Sequence, residues 1–369
     1  MRLSFVLPSV IQTGGVRVIV TFAGKLAARG HEVTVLYGDG DPATFEPPGP
    51  VRFRQLGGPW HPLRRTAHDV WGKALYGFGY PLGRYLCSIA PDVRDATRGA
   101  DLVVATEYRS VLPAMASDRA RVLHHPQHDE RLFARNRFEQ KLTRDAMSAP
   151  VHRVVNSSWL RDRLAGERNV DYPLVTPAID HAVFRVPEGP PAAAEPPQVF
   201  AYFSRRVWKG SYDLVDAFTL VRREVPEATL RFYGERPGED VLSRPGVAYV
   251  GRPTDGELCE HYARATVTVS PSWYESYPLP PIEAMASGGA VVTTGPGVED
   301  YAVDGENCLV VEPRDPRAMA GAIIKVIRDG ALRDRLRAAA PGSVQSETWD
   351  NATDRYERVL QSFVKGGPG

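Results

Sequence analysis

Short apolar runs alternate with longer amphipathic stretches along this chain, and the rhythm starts at its first residues. Leu3 to Leu7 reads as a short buried strand. Val18, Phe22 and Leu26 then recur at helical spacing within Val16 to Arg29, and Gly30 ends the pattern. Glu32 to Leu36, Leu102 to Val104, Val122 to His125 and Arg153 to Val155 are predicted as further strands. Residues 185–197 (RVPEGPPAAAEPP) interrupt the alternation with a proline density that suits an extended linker. It resumes with strands at Val199 to Phe203, Thr229 to Tyr233, Val247 to Val250, Val267 to Val269, Ala290 to Thr293 and Cys308 to Val311. Strands alternating with helices imply parallel sheets covered on both faces. The expected fold is therefore α/β, with two doubly wound Rossmann-like domains, 1–184 and 198–348, facing a central cleft. Residues 349–369 are expected to form a C-terminal helix and tail that can pack on either domain, a return to the N-terminal one included. Ligands of such sheets bind beyond the carboxyl ends of the strands.

Composition narrows the function classes. The chain has 369 residues, enough for two cores, with 43% hydrophobic and 24% charged residues, a globular mix. Its 45 Lys+Arg against 44 Asp+Glu give a net charge of +1, which argues against nucleic acid as the main partner. Cys87, Cys259 and Cys308 are too scattered for a disulfide framework or a thiolate metal site, so a reducing, cytoplasmic setting is expected. The first apolar run ends at Pro8, too early for a signal peptide, and no run of about 18 apolar residues predicts a membrane span. Arg, Ala and Pro usage suggests a high-GC bacterium.

Chemistry concentrates between Ser270 and Gly288 (SPSWYESYPLPPIEAMASG). A strand runs into a proline-rich loop that opens a helix at about Pro281, since proline is welcome in a first turn. Glu275 lies in the loop, and Glu283, eight positions on, is placed in the first turn of the helix. Helix dipole and free N–H groups there would make an anion site, and a carboxylate beside it suits vicinal hydroxyls. A ribose carrying a diphosphate satisfies both. The bland alternative is that Glu283 caps its helix and Glu275 is solvated.

The segment resembles the E-x7-E signature of the retaining glycosyltransferases of family 4, which have the GT-B fold. Pro271-Ser272, Glu275, Leu279-Pro280, Glu283-Ala284-Met285-Ala286 and Gly288 carry the likeness. It continues through Gly297-Val298-Glu299, Asp304-Gly305-Glu306-Asn307 and Pro313 to Pro316. In the first half it is thinner: Gly14-Gly15, Leu26-Ala27, Gly30 to Val33 and Asn156-Ser157. The resemblance implies that Glu275 faces the donor sugar and Glu283 holds the ribose. Backbone around Tyr277, Pro278 and Leu279 would contact sugar or phosphates, although Pro278 has no N–H to give. Arg205 and Lys209 would sit on the diphosphate, with Arg206 the competing choice. Such cations stabilise a leaving group that gains charge in the transition state.

In the first domain, the loop after the first strand would bring Gly15 to the donor and Gly14 to the acceptor. Gln127 and His128, placed at a strand end, would contact the acceptor, with His128 also a catalytic candidate; His124 and His125 are rival choices. The resemblance thus implies a retaining, metal-independent hexosyl or deoxyhexosyl transfer. A nucleoside diphosphate-sugar is co-substrate, the acceptor is a natural product, glycan or lipid-linked hydroxyl, and no cofactor takes part. The N-terminal domain would bind the acceptor and the C-terminal domain the nucleotide-sugar. Asp39-Gly40-Asp41 looks like a metal motif but reads as turn chemistry. Residues 52–88, rich in Arg and aromatics, suit an amphipathic helix, an acceptor wall or peripheral contact with an anionic membrane. The rival functions are a nucleotide-sugar epimerase or phosphorylase on the same plan, or a silent nucleotide-binding protein.

Overall fold

The computed structural model describes residues 1–57, 90–115, 121–134, 136–165, 170–189 and 194–365. The chain divides into two units, Met1–Pro177 with Trp349–Gly369, and Ala178–Thr348. In the first unit, β1 (Arg2–Val10), β2 (Glu32–Gly40), β3 (Arg52–Gln55), β4 (Leu102–Ala105), β5 (Arg121–His124) and β6 (His152–Arg153) form one sheet ordered β3-β2-β1-β4-β5-β6. Every neighbouring pair is parallel. Between strands run α1 (Gly14–Ala28), α2 (Ala90–Ala96), α3 (Tyr108–Ala114), α4 (Arg137–Ser148) and α5 (Ser158–Ala165). Thr13 caps α1 by accepting from Val16 N–H, and Val18, Phe22 and Leu26 line its buried face.

The second unit repeats the plan. Strands β7 (Gln198–Phe203), β8 (Thr229–Gly234), β9 (Val247–Tyr249), β10 (Val267–Ser270), β11 (Val291–Thr294) and β12 (Leu309–Val311) are ordered β12-β11-β10-β7-β8-β9, again all parallel. Its helices are α6 (Ser211–Glu224), α7 (Glu239–Leu242), α8 (Asp255–Arg264), α9 (Leu279–Ala286), α10 (Pro316–Arg328) and α11 (Gly330–Ser343). Strand alternation divides the core: Val199, Ala201 and Phe203 of β7 join one cluster, and Phe200 joins the other across the sheet. Counted within its own unit, each sheet has the order 3-2-1-4-5-6 of a doubly wound fold. Its direction of winding reverses between β1 and β4, and between β7 and β10. These two switch points are where such sheets open a crevice.

Several details differ from the sequence reading. Residues 178–184 belong to the second unit, where Ile179 and Phe184 are buried in its core. The last helix, α12 (Trp349–Lys365), belongs to the first unit. Arg52–Gln55 is an edge strand beside β2 rather than part of a helix, and residues 58–88 of the proposed acceptor or membrane segment lie outside the described residues. Residues 190–193 of the proline-rich stretch also lie outside them. Asp39 and Gly40 pair with Ser9 and Val10 inside the sheet, and Asp41 caps the turn Pro42–Thr44, so the Asp-Gly-Asp segment does structural work.

Candidate functional site

Lys209 and Glu275 meet at the second switch point. The loop after β7 starts at Ser204, whose N–H donates to Ser211 Oγ at 3.0 Å. Glu235, just past β8, clamps this turn. It accepts from Ser204 Oγ at 2.9 Å and from Arg205 N–H at 3.0 Å. Burial works to raise the Glu235 carboxyl, but these hydrogen bonds outweigh it and hold it below its ordinary value. Gly210 then turns the chain at φ 65°, and a Cβ there would sit 1.9 Å from the carbonyl oxygen of Pro271. Only glycine lets the loop after β7 press so closely on the loop after β10. Trp273 N–H donates to Trp208 O at 2.7 Å across the same seam.

This seam delivers the Lys209 ammonium onto Glu275 Oε1 as an ion pair, and Ser272 Oγ donates to the same oxygen at 3.0 Å. The Glu275 side chain is 12% exposed. Thr294 Oγ1 donates to Ser272 O, and Gly297 at φ 92° passes so near that a Cβ would lie 2.3 Å from Glu275 O. Three loops thus fix one carboxylate. Arg205 goes elsewhere: its exposed guanidinium donates to Arg236 O at 3.2 Å, while Arg206 lies over the Trp208 ring at 5.6 Å.

Glu283 is corrected in position. Helix α9 begins at Leu279, so Glu283 is its fifth residue and lies beyond the first turn, which holds no acidic residue. The expected anion site is also poorer than read. Pro278, Pro280 and Pro281 occupy three of the four positions that would offer free N–H groups, leaving only Leu279. Glu283 is buried, and Tyr262 O–H donates to its Oε2 at 3.4 Å. Tyr277 is buried, and Tyr301 O–H donates to Pro278 O at 2.9 Å.

At the first switch point, Gly14 and Gly15 are the first two residues of α1 rather than loop. Gly15 packs on Gln127, where an added Cβ would come within 3.2 Å of Gln127 Cβ; Gly14 faces open space. Strand β5 ends at His124, so Gln127 and His128 lie in the following loop rather than at the strand end. Asn156 Nδ2 donates to Gln127 O at 3.2 Å. His128 is half-buried, edge-on to Phe133 at 4.5 Å and to Trp159 at 5.8 Å. Behind it, Asp129 takes Arg131 Nε and Arg163 Nε, each at 2.8 Å. His124 and His125 are fully buried. Arg153 Nε donates to His124 Nδ1 at 3.2 Å, and burial lowers both rings, that of His125 to about 3. Burial thus favours the neutral form of both. Among the described residues no cluster of three or more His, Cys, Asp or Glu could hold a metal ion, and no helix is long and apolar enough to cross a membrane.

Family comparisons follow the same two halves. The pattern described as "Glycosyltransferase Family 4" matches residues 13–183, and "Glycosyl transferases group 1" matches 197–329. The chain belongs to glycosyltransferase family 4. Among family relatives, a D-inositol 3-phosphate glycosyltransferase of a Nocardioides species is 36% identical over 31% of this chain and 26% of its own length. A glycogen synthase of Mycobacterium tuberculosis is 30% identical over 43% of this chain and 41% of its own. The matches thus span about a quarter to two-fifths of those relatives. HepE of Anabaena, solved in complex with UDP-glucose, superposes with a TM-score of 0.76 at 17% identity, covering 98% of this chain and 100% of that one. That likeness fixes the GT-B architecture of this family 4 chain.

Sequence reasoning missed Ser272, Glu235, Tyr262 and Tyr233. The first two carry a signal, a hydroxyl three residues before Glu275 and a carboxylate just past a strand's carboxyl end. The tyrosines carry none, because a Tyr in an apolar strand, as at Tyr233, or on the apolar face of a helix, as at Tyr262, reads as core.

Proposed function

We propose that this chain is a retaining, metal-independent glycosyltransferase. It moves a hexosyl or deoxyhexosyl group from a nucleoside diphosphate-sugar to an acceptor hydroxyl. The observation that carries the reading is the meeting of Lys209 and Glu275 at the β7/β10 switch point, with Glu283 buried on the next helix. An ammonium has three donors, so Lys209 can keep Glu275 while binding a phosphate oxygen. As the bond between the anomeric carbon and the phosphate oxygen breaks, its electron pair stays on the diphosphate. Lys209 offsets that charge, and Arg205 joins it once its exposed guanidinium leaves Arg236 O, the role a divalent ion would otherwise fill. The acceptor oxygen bonds to the anomeric carbon, and its proton passes to the departing diphosphate oxygen. Glu275, fixed by Lys209 and Ser272, steadies the donor sugar, and Glu283 accepts from the ribose hydroxyls.

On the first unit, the opening of α1 at Gly14-Gly15 presents backbone to donor and acceptor. His128 and Gln127 beside it contact the acceptor. HepE, which shares the fold, is solved in complex with UDP-glucose, and this supports a nucleotide-sugar donor here. A thermal-shift panel of UDP, GDP, dTDP and ADP names the base; ligand at about 100 times its Kd adds about 2.7 kcal/mol. With the matching sugar donors, Glu275→Ala lowers turnover strongly with little change in nucleotide affinity, and Glu283→Ala does the reverse. Equal, small effects from both variants would sink the assignment. The anomeric configuration of the product, read by NMR, tests retention.

A further inference from the structure

Two buried tyrosines stand in line behind Glu283. Tyr233 is the penultimate residue of β8, Tyr262 sits in the last turn of α8, and Glu283 lies in α9. The two phenol oxygens are 2.6 Å apart, and Tyr262 O–H reaches Glu283 Oε2 at 3.4 Å. A phenol has one proton. Tyr262 gives its proton to the carboxylate, so the proton between the tyrosines must come from Tyr233. The chain of donors therefore runs one way, from Tyr233 through Tyr262 to Glu283, and each link polarises the next. Burial is the first cause that pushes both phenols upward; Glu283 comes next for Tyr233, and Tyr233 and then Glu283 for Tyr262, so both keep the protons the chain needs.

The scaffold around the chain is rigid. Tyr262 has no exposed surface and packs its ring on Phe200 at 5.6 Å and Phe184 at 6.3 Å. Phe200 in turn stacks on Tyr233 at 5.0 Å. Gly289 brings the turn after α9 close to α8: a Cβ there would lie 2.9 Å from Tyr262 O. The last torsion of a glutamate is broad and poorly fixed by itself. A donor held by a packed ring fixes it.

We propose that Tyr262, backed by Tyr233, is a positioning residue that sets the Glu283 carboxylate for the ribose hydroxyls of the donor nucleotide. This rests on the donor-site reading above. It adds that ribose recognition depends on a hydroxyl with no part in the sugar's chemistry. Pure core packing would need only the ring, and Tyr262→Phe keeps the ring while deleting the hydroxyl.

The test is nucleotide binding by calorimetry. It uses whichever of UDP, GDP, dTDP or ADP the full chain binds, and the 2′,3′-dideoxy counterpart of that nucleotide. Tyr262→Phe should weaken the natural nucleotide by about fivefold to tenfold, the range one such hydrogen bond supports. The dideoxy form should be nearly unaffected, so the preference between the two shrinks. With sugar donor, the loss falls on KM and leaves kcat unchanged. On a Glu283→Ala background, Tyr262→Phe should add nothing. A folded Tyr262→Phe that binds like wild type overturns the proposal. So does one that weakens both nucleotides equally, or that adds its full effect to Glu283→Ala. Should Tyr262→Phe not fold, Tyr233→Phe carries the same test: a smaller loss in the same direction supports the relay, and none overturns it. A wild-type chain that binds none of the four overturns the donor reading itself, an outcome distinct from all of these.

Discussion

Gly210 shows how much one missing side chain decides. Its φ of 65° alone would cost an alanine about 1–2 kcal/mol. The clash with Pro271 O at 1.9 Å must also be relieved by moving the loop that carries Glu275. Gly210→Ala should therefore lose more than about 2 kcal/mol in urea unfolding and disturb the Lys209 pair. Gly14→Ala, facing open space in a helix, should be neutral or gain up to about 1 kcal/mol. His125 makes a pH prediction. Its folded value of about 3 lies below the ordinary 6.5, so the unfolded chain binds the extra proton between them. Stability is complete above the ordinary value and falls as pH drops through that window. Denaturant midpoints for His125→Asn should show an acid slope shallower by about 1.4 kcal/mol per pH unit between about pH 6 and pH 4.

The C-terminal helix α12 is held on the first unit by two kinds of contact. Tyr356 is fully buried against Phe22 at 4.8 Å and His125 at 5.0 Å, and its hydroxyl lies 3.0 Å from His125 Nδ1. Outside this core, Lys25 pairs with Asp350 at 2.9 Å, and Arg29 pairs with Asp354 at 2.6 Å and Glu357 at 3.0 Å. Packing should dominate. Tyr356→Ala should cost about 3–5 kcal/mol in chemical unfolding, and Asp354→Ala, at a 54% exposed carboxylate, under about 1 kcal/mol. Elements with a continuous apolar run were legible in the sequence, as β4, β7 and β11 show. Strand β3 (RFRQ) was not, because an edge strand pairs through its backbone on one side and needs little apolar surface. The start of α9 was misjudged by two residues, because proline suits the start of a helix and here one proline caps the helix and two more stand in its first turn. The partners of Glu275 were half legible. Lys209 stood out by resemblance, while Ser272 acts through a loop path that no spacing rule describes.

Each unit has its own sheet and core, and the side chains assigned to the donor, Arg205, Lys209, Glu275 and Glu283, all fall within Ala178–Thr348, while the first unit is assigned only the backbone at Gly15. Residues 178–348 produced alone should therefore unfold cooperatively in urea and bind the same nucleotide as the full chain. Residues 1–177 alone lack Tyr356 and should not fold stably. The double alternation along the chain made the two-sheet plan readable, since each run of strands and helices is contiguous within its half. The return of α12 to the first unit was offered by the sequence only as one of two choices, because an amphipathic helix does not name the surface it covers. The second unit is thus an insertion in the first. Ile179 N–H donates to Glu347 O at 3.1 Å, and Ile179 forms a β-bridge with Thr348. The inserted unit's two ends are therefore fastened side by side. A unit tied at its base in this way can be exchanged as a cassette. A relative's corresponding segment spliced between positions 177 and 349 carries that bridge within itself, so such a chimera asks whether donor preference travels with the insert while the first unit's sheet keeps its own strand order.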